Sequence, residues 1–458
     1  MRSSLAAAPA WHRLNLPGWL AAALLLGGTA LAGPVLGGAT RFAFIAGCAV
    51  VGWYAWRRSP ASHLQAILLI FSFAPFLRRL VDLSAGYEAS GVMLVGPLLA
   101  ILMPLPSLRA AIEEDRPMPP TLAAVIVVGA CVTYGTALSL FQGDWATAAT
   151  GSLKWFAPLL YCAVLAFRSD AERREMVDAA ASVFLAILPL TGLYGLYQYI
   201  DPPTWDRYWM QLTTIMSIGQ PVPFGVRTFS TMNGPASFAT FTAAGLLLVG
   251  FLRSGWITIV LATPAAFALL LSMYRTAWLS LALGVAFCLL FAATRGRAAG
   301  MMVVTVLAVA GASVTPFGGV IGERLASIGS GAQDDSARER LEQYVHLWNL
   351  PDSEIFGRGF TVTDVGSAGA MAIDGMIVSC WVTMGLVVGL CCLAGLLLAI
   401  GRAIDGARRD GGPEAVVVGA LACGALVQMM LANIASGELG VLFWTFVVLA
   451  PVAGRAGR

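Results

Sequence analysis

The chain has 458 residues, 58% hydrophobic and 12% charged, with a mean hydropathy of +0.78. Soluble domains carry about 25% charged residues, so an ordinary globular chain is excluded. The formal net charge of +3 rests on no Lys/Arg run long enough to track a phosphate backbone, which excludes nucleic acid as a partner.

Apolar stretches near twenty residues recur, each able to cross about 30 Å of hydrocarbon, and they predict an all-α, polytopic helical bundle embedded in a lipid bilayer. Residues 1–17, with Arg2 and Arg13, form a short basic lead on the cytoplasmic side. The run 18–38 is read as a first span and not a cleaved signal, although Ala30-Leu31-Ala32 resembles a weak cleavage exit. Hydropathy gives about fourteen spans, near 18–37, 40–56, 61–77, 88–106, 120–141, 152–167, 177–199, 235–252, 256–273, 277–294, 298–316, 374–400, 414–434 and 439–454. They fall into groups over 18–199, 235–316 and 374–458, separated by long connectors at 200–234 and 317–373. Connectors of that length inside a compact domain are usually functional.

Orientation follows from the short connectors. Arg57-Arg58, Arg109 with Arg116, Arg168 with Arg173-Arg174, Arg295 with Arg297, and Arg402 with Arg408-Arg409 mark alternate loops, and Arg455 and Arg458 close the chain on the same side. The positive-inside rule makes these cytoplasmic, with both termini inside and both long connectors outside. The second connector carries a capping box, Asp335-Ser336 followed by Glu339. Leu341, Tyr344, Val345 and Trp348 then recur at helical spacing until Asn349 and Pro351 end the run. A short amphipathic helix covering a cavity is expected there, with Arg338, Arg340, Glu342 and His346 on or near its polar side.

Eight cysteines all fall within predicted spans and form no CxxC or Cys/His grouping, so they read as small packing residues and no metal site is expected. Lysine is nearly absent, which fits genomic base composition. His12 and His63 read as incidental, and His346 as part of a solvated face.

The arginines on the outer face need a local reason, and a bound anion supplies one. Arg227 lies before Asn233-Gly234-Pro235, a turn leading into a span. It reads either as an arginine snorkelling to headgroups or as a guanidinium forked onto phosphate oxygens. Arg275, in Tyr274-Arg275-Thr276, sits in a hairpin too short to carry it far from hydrocarbon, where an ionised group marks a site. In the second connector Arg338 and Arg340 offer donors, as does Arg358 in Phe356-Gly357-Arg358-Gly359-Phe360, where the glycines would let backbone amides approach a ligand. Asp374 starts the next span and suits a general base, or else complements a helix dipole; Glu438 poses the same choice. Arg78-Arg79 with Asp82 read most simply as an internal ion pair, and Asp334-Asp335 as cap chemistry in place of a metal site.

An arginine followed by Asn233-Gly234-Pro235 at a helix entry, Arg275 at a short hairpin, then an outward loop with Ser336-x-Arg338-x-Arg340…Trp348 and Gly357-Arg358-Gly359-Phe360 resembles the O-antigen ligase/polymerase superfamily. The resemblance covers roughly residues 175–400. It implies a bacterial inner-membrane enzyme whose active site faces the periplasm and which transfers glycan from undecaprenyl diphosphate without metal or cofactor. Ligases of this family carry His-Asn where this chain has Asp374-Gly375, which favours a polymerase of repeat units.

The expected reaction is inverting glycosyl transfer. Arg227, Arg275 and one of Arg338 and Arg340 hold the diphosphate, with Arg358 and Asn233 also counted as substrate-binding, and Asp374 acts on the acceptor hydroxyl. The implied partners are an undecaprenyl-diphosphate-linked oligosaccharide, a chain-length regulator and a flippase. Two alternatives stand beside it: ligation of finished glycan to lipid A-core, and non-enzymatic transport of lipid-linked glycan. Few charges sit deep in the spans, which weighs against transport.

Overall fold

The computed structural model describes residues 16–313, 345, 353–360 and 375–451. Arg338, Arg340, Asp374, His346, Asp334-Asp335 and the amphipathic helix of the second connector lie outside the described residues. All described regular structure is helical. Eight helices are long and apolar enough to cross a membrane, and four more are apolar but shorter.

The first three helices are α1 (Gly18–Leu36), α2 (Ala39–Arg58) and α3 (Pro60–Ala85). Ser59 caps α3 by accepting from the Ser62 amide, and Pro60 fills the first turn, where its missing donor costs nothing. The span expected at 88–106 corresponds to Val92–Glu113, one of the eight membrane-length stretches, and is built of consecutive helical pieces. A 3-10 turn (Val92–Leu94) leads into α4 (Val95–Leu102), and Pro104 separates this from α5 (Leu105–Glu113). Next come α6 (Leu122–Phe141), α7 (Trp145–Ala166) and α8 (Asp170–Ile200). The start of α8 is a full capping box, Ser169 with Glu172.

The connector at 200–234 contains helix α9 (Thr204–Leu212), which hydropathy gave no reason to expect. Trp209 and Met210 of α9 pack with Ile218, Val226 and Phe229 into a small core of their own. The chain returns through α10 (Pro235–Leu252), α11 (Trp256–Leu271), α12 (Arg275–Leu289) and α13 (Arg295–Ser313). A single helical turn, α14 (Ser353–Phe356), precedes α15 (Met376–Asp410), α16 (Pro413–Met429) and α17 (Gly437–Leu449). The expected span at 374–400 is two helices. Gly385 has φ 78° and ψ 171°, and folds the first part of α15 back so that Gly389 lies against the Cys380 carbonyl.

Helices approach closely where small residues meet. Gly52 of α2 rests on the Ala100 backbone of α4, and Gly424 of α16 rests on Ser280 of α12. Such contacts are how apolar helices gain packing energy when lipid competes equally for apolar surface. The arrangement brings α10, α12, α16 and α17 together, with α7 and α15 flanking.

Candidate functional site

The site rests on a buried ion pair. Arg79 Nε of α3 lies 2.8 Å from Asp206 Oδ1 of α9, both side chains fully enclosed. Arg79 Nη1 and Nη2 donate to the carbonyls of Met232 and Ser230, each at 2.5 Å. Asp206 Oδ2 accepts from the Tyr194 hydroxyl at 2.7 Å and from Gln198 Nε2 at 2.6 Å. Gln198 Oε1 in turn accepts from the amides of Phe229 and Ser230. Ser230 takes φ +51°, unfavourable for a side chain with Cβ, and is held there by these bonds and by its own donation to the Thr191 carbonyl. The backbone of residues 229–232 is thus clamped from three helices. Arg78 pairs with Asp82 at 3.4 Å, the internal pair expected from their spacing, and Arg41 joins the same carboxylate at 2.8 Å.

The clamped segment carries Arg227. Its amide donates to the Ile218 carbonyl, its neighbour Val226 bridges Gly219, and Arg227 Nη2 donates to the Met273 carbonyl at 3.3 Å. Met273 lies in the tight α11–α12 turn, two residues before Arg275, which begins α12. The turn is fixed by Trp278 Nε1 donating back to the Leu269 carbonyl and by Ser272 Oγ accepting from the Tyr274 amide. The structure therefore brings Arg227 and Arg275 to one turn. A cation at a helix N-terminus opposes the helix dipole, and two cations gathered at one helix start attract an anion.

Residues 430–436, between α16 and α17, join this turn to three other helix starts. Tyr274 OH donates to the Leu431 carbonyl at 3.4 Å. Asn433 Nδ2 donates to Ser379 Oγ in the first turn of α15 at 3.2 Å, and Asn433 Oδ1 accepts from the Ala435 amide. Gly375 lies so close to the Met430 carbonyl that an added Cβ would stand 2.5 Å from it. Ser237 Oγ, in the first turn of α10, donates to Glu438 Oε1, in the first turn of α17, at 2.5 Å. The starts of α10, α12, α15 and α17 thus gather at one end of the bundle. Asn233 stands just before α10, with its side-chain oxygen enclosed and given no donor among the described residues.

Beneath this end lies a narrow crevice walled by α10, α12, α16 and α17. Its lining is apolar except for Thr240, Ser280 and Gln428. Gln428 ties the other two together, accepting from Thr240 Oγ1 at 3.0 Å and donating to Ser280 Oγ at 2.9 Å.

Arg358 lies on a segment packed against α6 and α15 and does not line this crevice. Its amide donates to the Val382 carbonyl at 2.8 Å, and the Phe360 amide donates to Ser139 Oγ at 2.6 Å. Gly357 (φ +83°) packs on the Gly385 kink and Gly359 (φ +66°) on Ser139. These glycines permit a close approach of backbone to neighbouring helices. The close approach is to α6 and α15, and the Arg358 and Phe360 amides bond protein acceptors there.

His63 is a buried structural residue, between the Tyr161 hydroxyl at 2.9 Å and the Ala100 carbonyl at 3.2 Å. Among the described residues no group of His, Cys, Asp or Glu is placed to hold a metal ion. Sequence reasoning missed Asp206, Gln198, Ser237, Asn433, Gln428 and Lys154; the signal available for the last was that it is the single lysine of the chain. No family model, no curated protein and no solved structure matches the chain.

Proposed function

We propose that this protein is a membrane glycosyltransferase that polymerises undecaprenyl-diphosphate-linked oligosaccharide repeat units, of exopolysaccharide or O-antigen type. In this reading the chain crosses the bacterial inner membrane about fourteen times, with both termini inside and the site end facing the periplasm. The observation that carries it is the meeting of Arg227 and Arg275 at one turn, beside the first amides of α12.

Two guanidiniums at a membrane boundary suit a lipid-linked diphosphate better than a carboxylate or a lone phosphate, because each can fork onto phosphoryl oxygens. In the reaction a sugar hydroxyl of one lipid-linked unit attacks the anomeric carbon of another with inversion. The bond from that carbon to the phosphate oxygen breaks, and its electron pair leaves on the diphosphate. Arg227 and Arg275 stabilise the charge that develops there, an effect strengthened where water is excluded. One of Arg338 and Arg340 joins them on the diphosphate, Asn233 and Arg358 are the further substrate contacts suggested by the motif, and Asp374 is the base suggested by chain position. A diphosphate leaves without protonation, so the arginines stand in for both general acid and metal.

The test is incubation of purified protein with one synthetic undecaprenyl-diphosphate oligosaccharide and no other acceptor. A ladder of products is the expected result. Transfer only when lipid A-core is added would make the protein a ligase, and transfer in neither case would leave transport of the lipid-linked glycan.

A further inference from the structure

Lys154 and Glu438 bring the chain's single lysine and a carboxylate to the same end of the bundle. Gly440 of α17 packs on Pro158 of α7, about one helical turn after Lys154, so the start of α17 and the Lys154 turn of α7 lie side by side. From α10, Glu438 receives the uncharged Ser237 hydroxyl, which donates to Oε1. The next residue, Leu439, lines the crevice, as does Ile434 of the connecting loop. Ser237 lies two residues beyond the Asn233-Gly234-Pro235 turn, and so on the segment that carries Arg227.

A carboxylate at a helix N-terminus gains from the dipole, but that alone accounts for neither a hydroxyl partner on another helix nor a lysine in a chain that otherwise uses arginine. Lysine is a compact point charge with rotatable donors, suited to tuning a neighbouring carboxylate without forking onto it.

Building on the glycosyl-transfer reading above, we propose that Glu438 is the proton acceptor for the attacking sugar hydroxyl, with Ser237 and Lys154 as its positioning residues. The hydroxyl oxygen bonds to the anomeric carbon as the bond from that carbon to the diphosphate oxygen breaks. The hydroxyl proton passes to the Glu438 carboxylate and is returned to water before the next turnover. The leaving diphosphate is held by Arg227 and Arg275, so acid-base work and leaving-group stabilisation fall to different helices.

The experiment is the rate of ladder formation from a single synthetic diphosphate-linked donor between pH 5 and pH 9, using full-length wild type, Glu438→Gln, Ser237→Ala, Lys154→Arg, Lys154→Met and Asp374→Asn. Glu438→Gln should lose about 10²-fold or more in kcat with KM little changed, the usual weight of a general base. It should also lack the rise of rate with pH that the wild type shows, while its melting temperature stays near wild type. Lys154→Arg should keep the profile and Lys154→Met should move it, and Ser237→Ala should reduce kcat less than Glu438→Gln. A wild-type ladder with Glu438→Gln still within three-fold of it overturns the assignment, as does loss of the pH-dependent limb in Asp374→Asn alone. A fall in melting temperature that accounts for the lost rate would make Glu438 a brace between α10 and α17, and also overturns it. No ladder from the wild type overturns the transfer reading itself, and this role with it.

Discussion

Arg79 and Asp206 form an ion pair closed to water on every side, with Nε 2.8 Å from Oδ1 and no exposed surface on either side chain. Taking both charges out of water costs several kcal/mol per ion, and the cost is offset because Nη1, Nη2 and Oδ2 all have hydrogen-bond partners. The partners on the arginine side are backbone carbonyls of residues 230 and 232. The pair thereby fixes the course of the segment that ends in Asn233 and begins near Arg227.

Removing one member of this pair should be far worse than removing both. Asp206→Ala leaves a buried guanidinium without its counter-ion, for a destabilisation of about 3–5 kcal/mol. Thermal unfolding followed by tryptophan fluorescence should show a large fall for Asp206→Ala and a smaller one for Arg79→Met combined with Asp206→Leu. Equal falls would mean that the pair does not organise the connector.

The kink in α15 should tolerate no side chain. Gly385→Ala forces an L-residue to φ 78°, with its Cβ against the Ile355 and Phe356 backbone, and so should dislodge the Gly357–Phe360 segment. The cost should be about 1–3 kcal/mol. Gly401→Ala, in the same helix but with open space around it, should instead stabilise by about 0.5–1 kcal/mol. Melting temperatures that shift in opposite directions would check both.

Glu88, in the loop between α3 and the 3-10 turn, gives a pH-dependent contribution. Partial burial pushes its carboxyl up, but donation from the Ser90 hydroxyl and from the amides of Val92 and Ser90, with the Arg78 charge, outweighs this and holds it below the ordinary carboxylate value. A group depressed in the folded state stabilises above its unfolded pKa of about 4.3, and that contribution is lost as pH falls through the folded value. Unfolding midpoints of wild type and Glu88→Gln should differ by a constant amount at neutral pH and converge in acid. A difference that grows in acid would contradict the assignment.

Chelation separates arginine-based from metal-based stabilisation of the diphosphate. Ladder formation should proceed unchanged in EDTA, and inorganic diphosphate should compete with the lipid-linked donor. That competition should weaken in Arg227→Ala. Loss of activity in EDTA with recovery on adding a divalent cation would refute the arginine account.

The all-α, multi-pass character could be read from the sequence, because twenty-residue apolar runs have few other uses. The Arg78–Asp82 pair was also legible, since i,i+4 spacing on a helix makes neighbours of them. Other features were not. Nothing local distinguishes Gly385, which breaks α15, from Gly395, which packs against α6 in an unbroken stretch of the same helix. Helix α9 is too short and too mixed in composition to stand out from a loop. Ser237 and Glu438 are 201 residues apart, and only tertiary packing brings their helix starts together. Arg227 and Arg275 stand out in the sequence because a cation at a membrane boundary is costly wherever it occurs, and the fold brings both to the α11–α12 turn.

The most direct test of the central claim is the rate of ladder formation from one diphosphate-linked oligosaccharide by wild type, Arg275→Lys and Arg275→Ala. If Arg275 stabilises the departing diphosphate, the alanine variant should lose about 10²–10³-fold in kcat, the weight of one such donor. The lysine variant should recover part of that loss, since it restores the charge without the fork. A folded Arg275→Ala that keeps its wild-type rate would contradict the account.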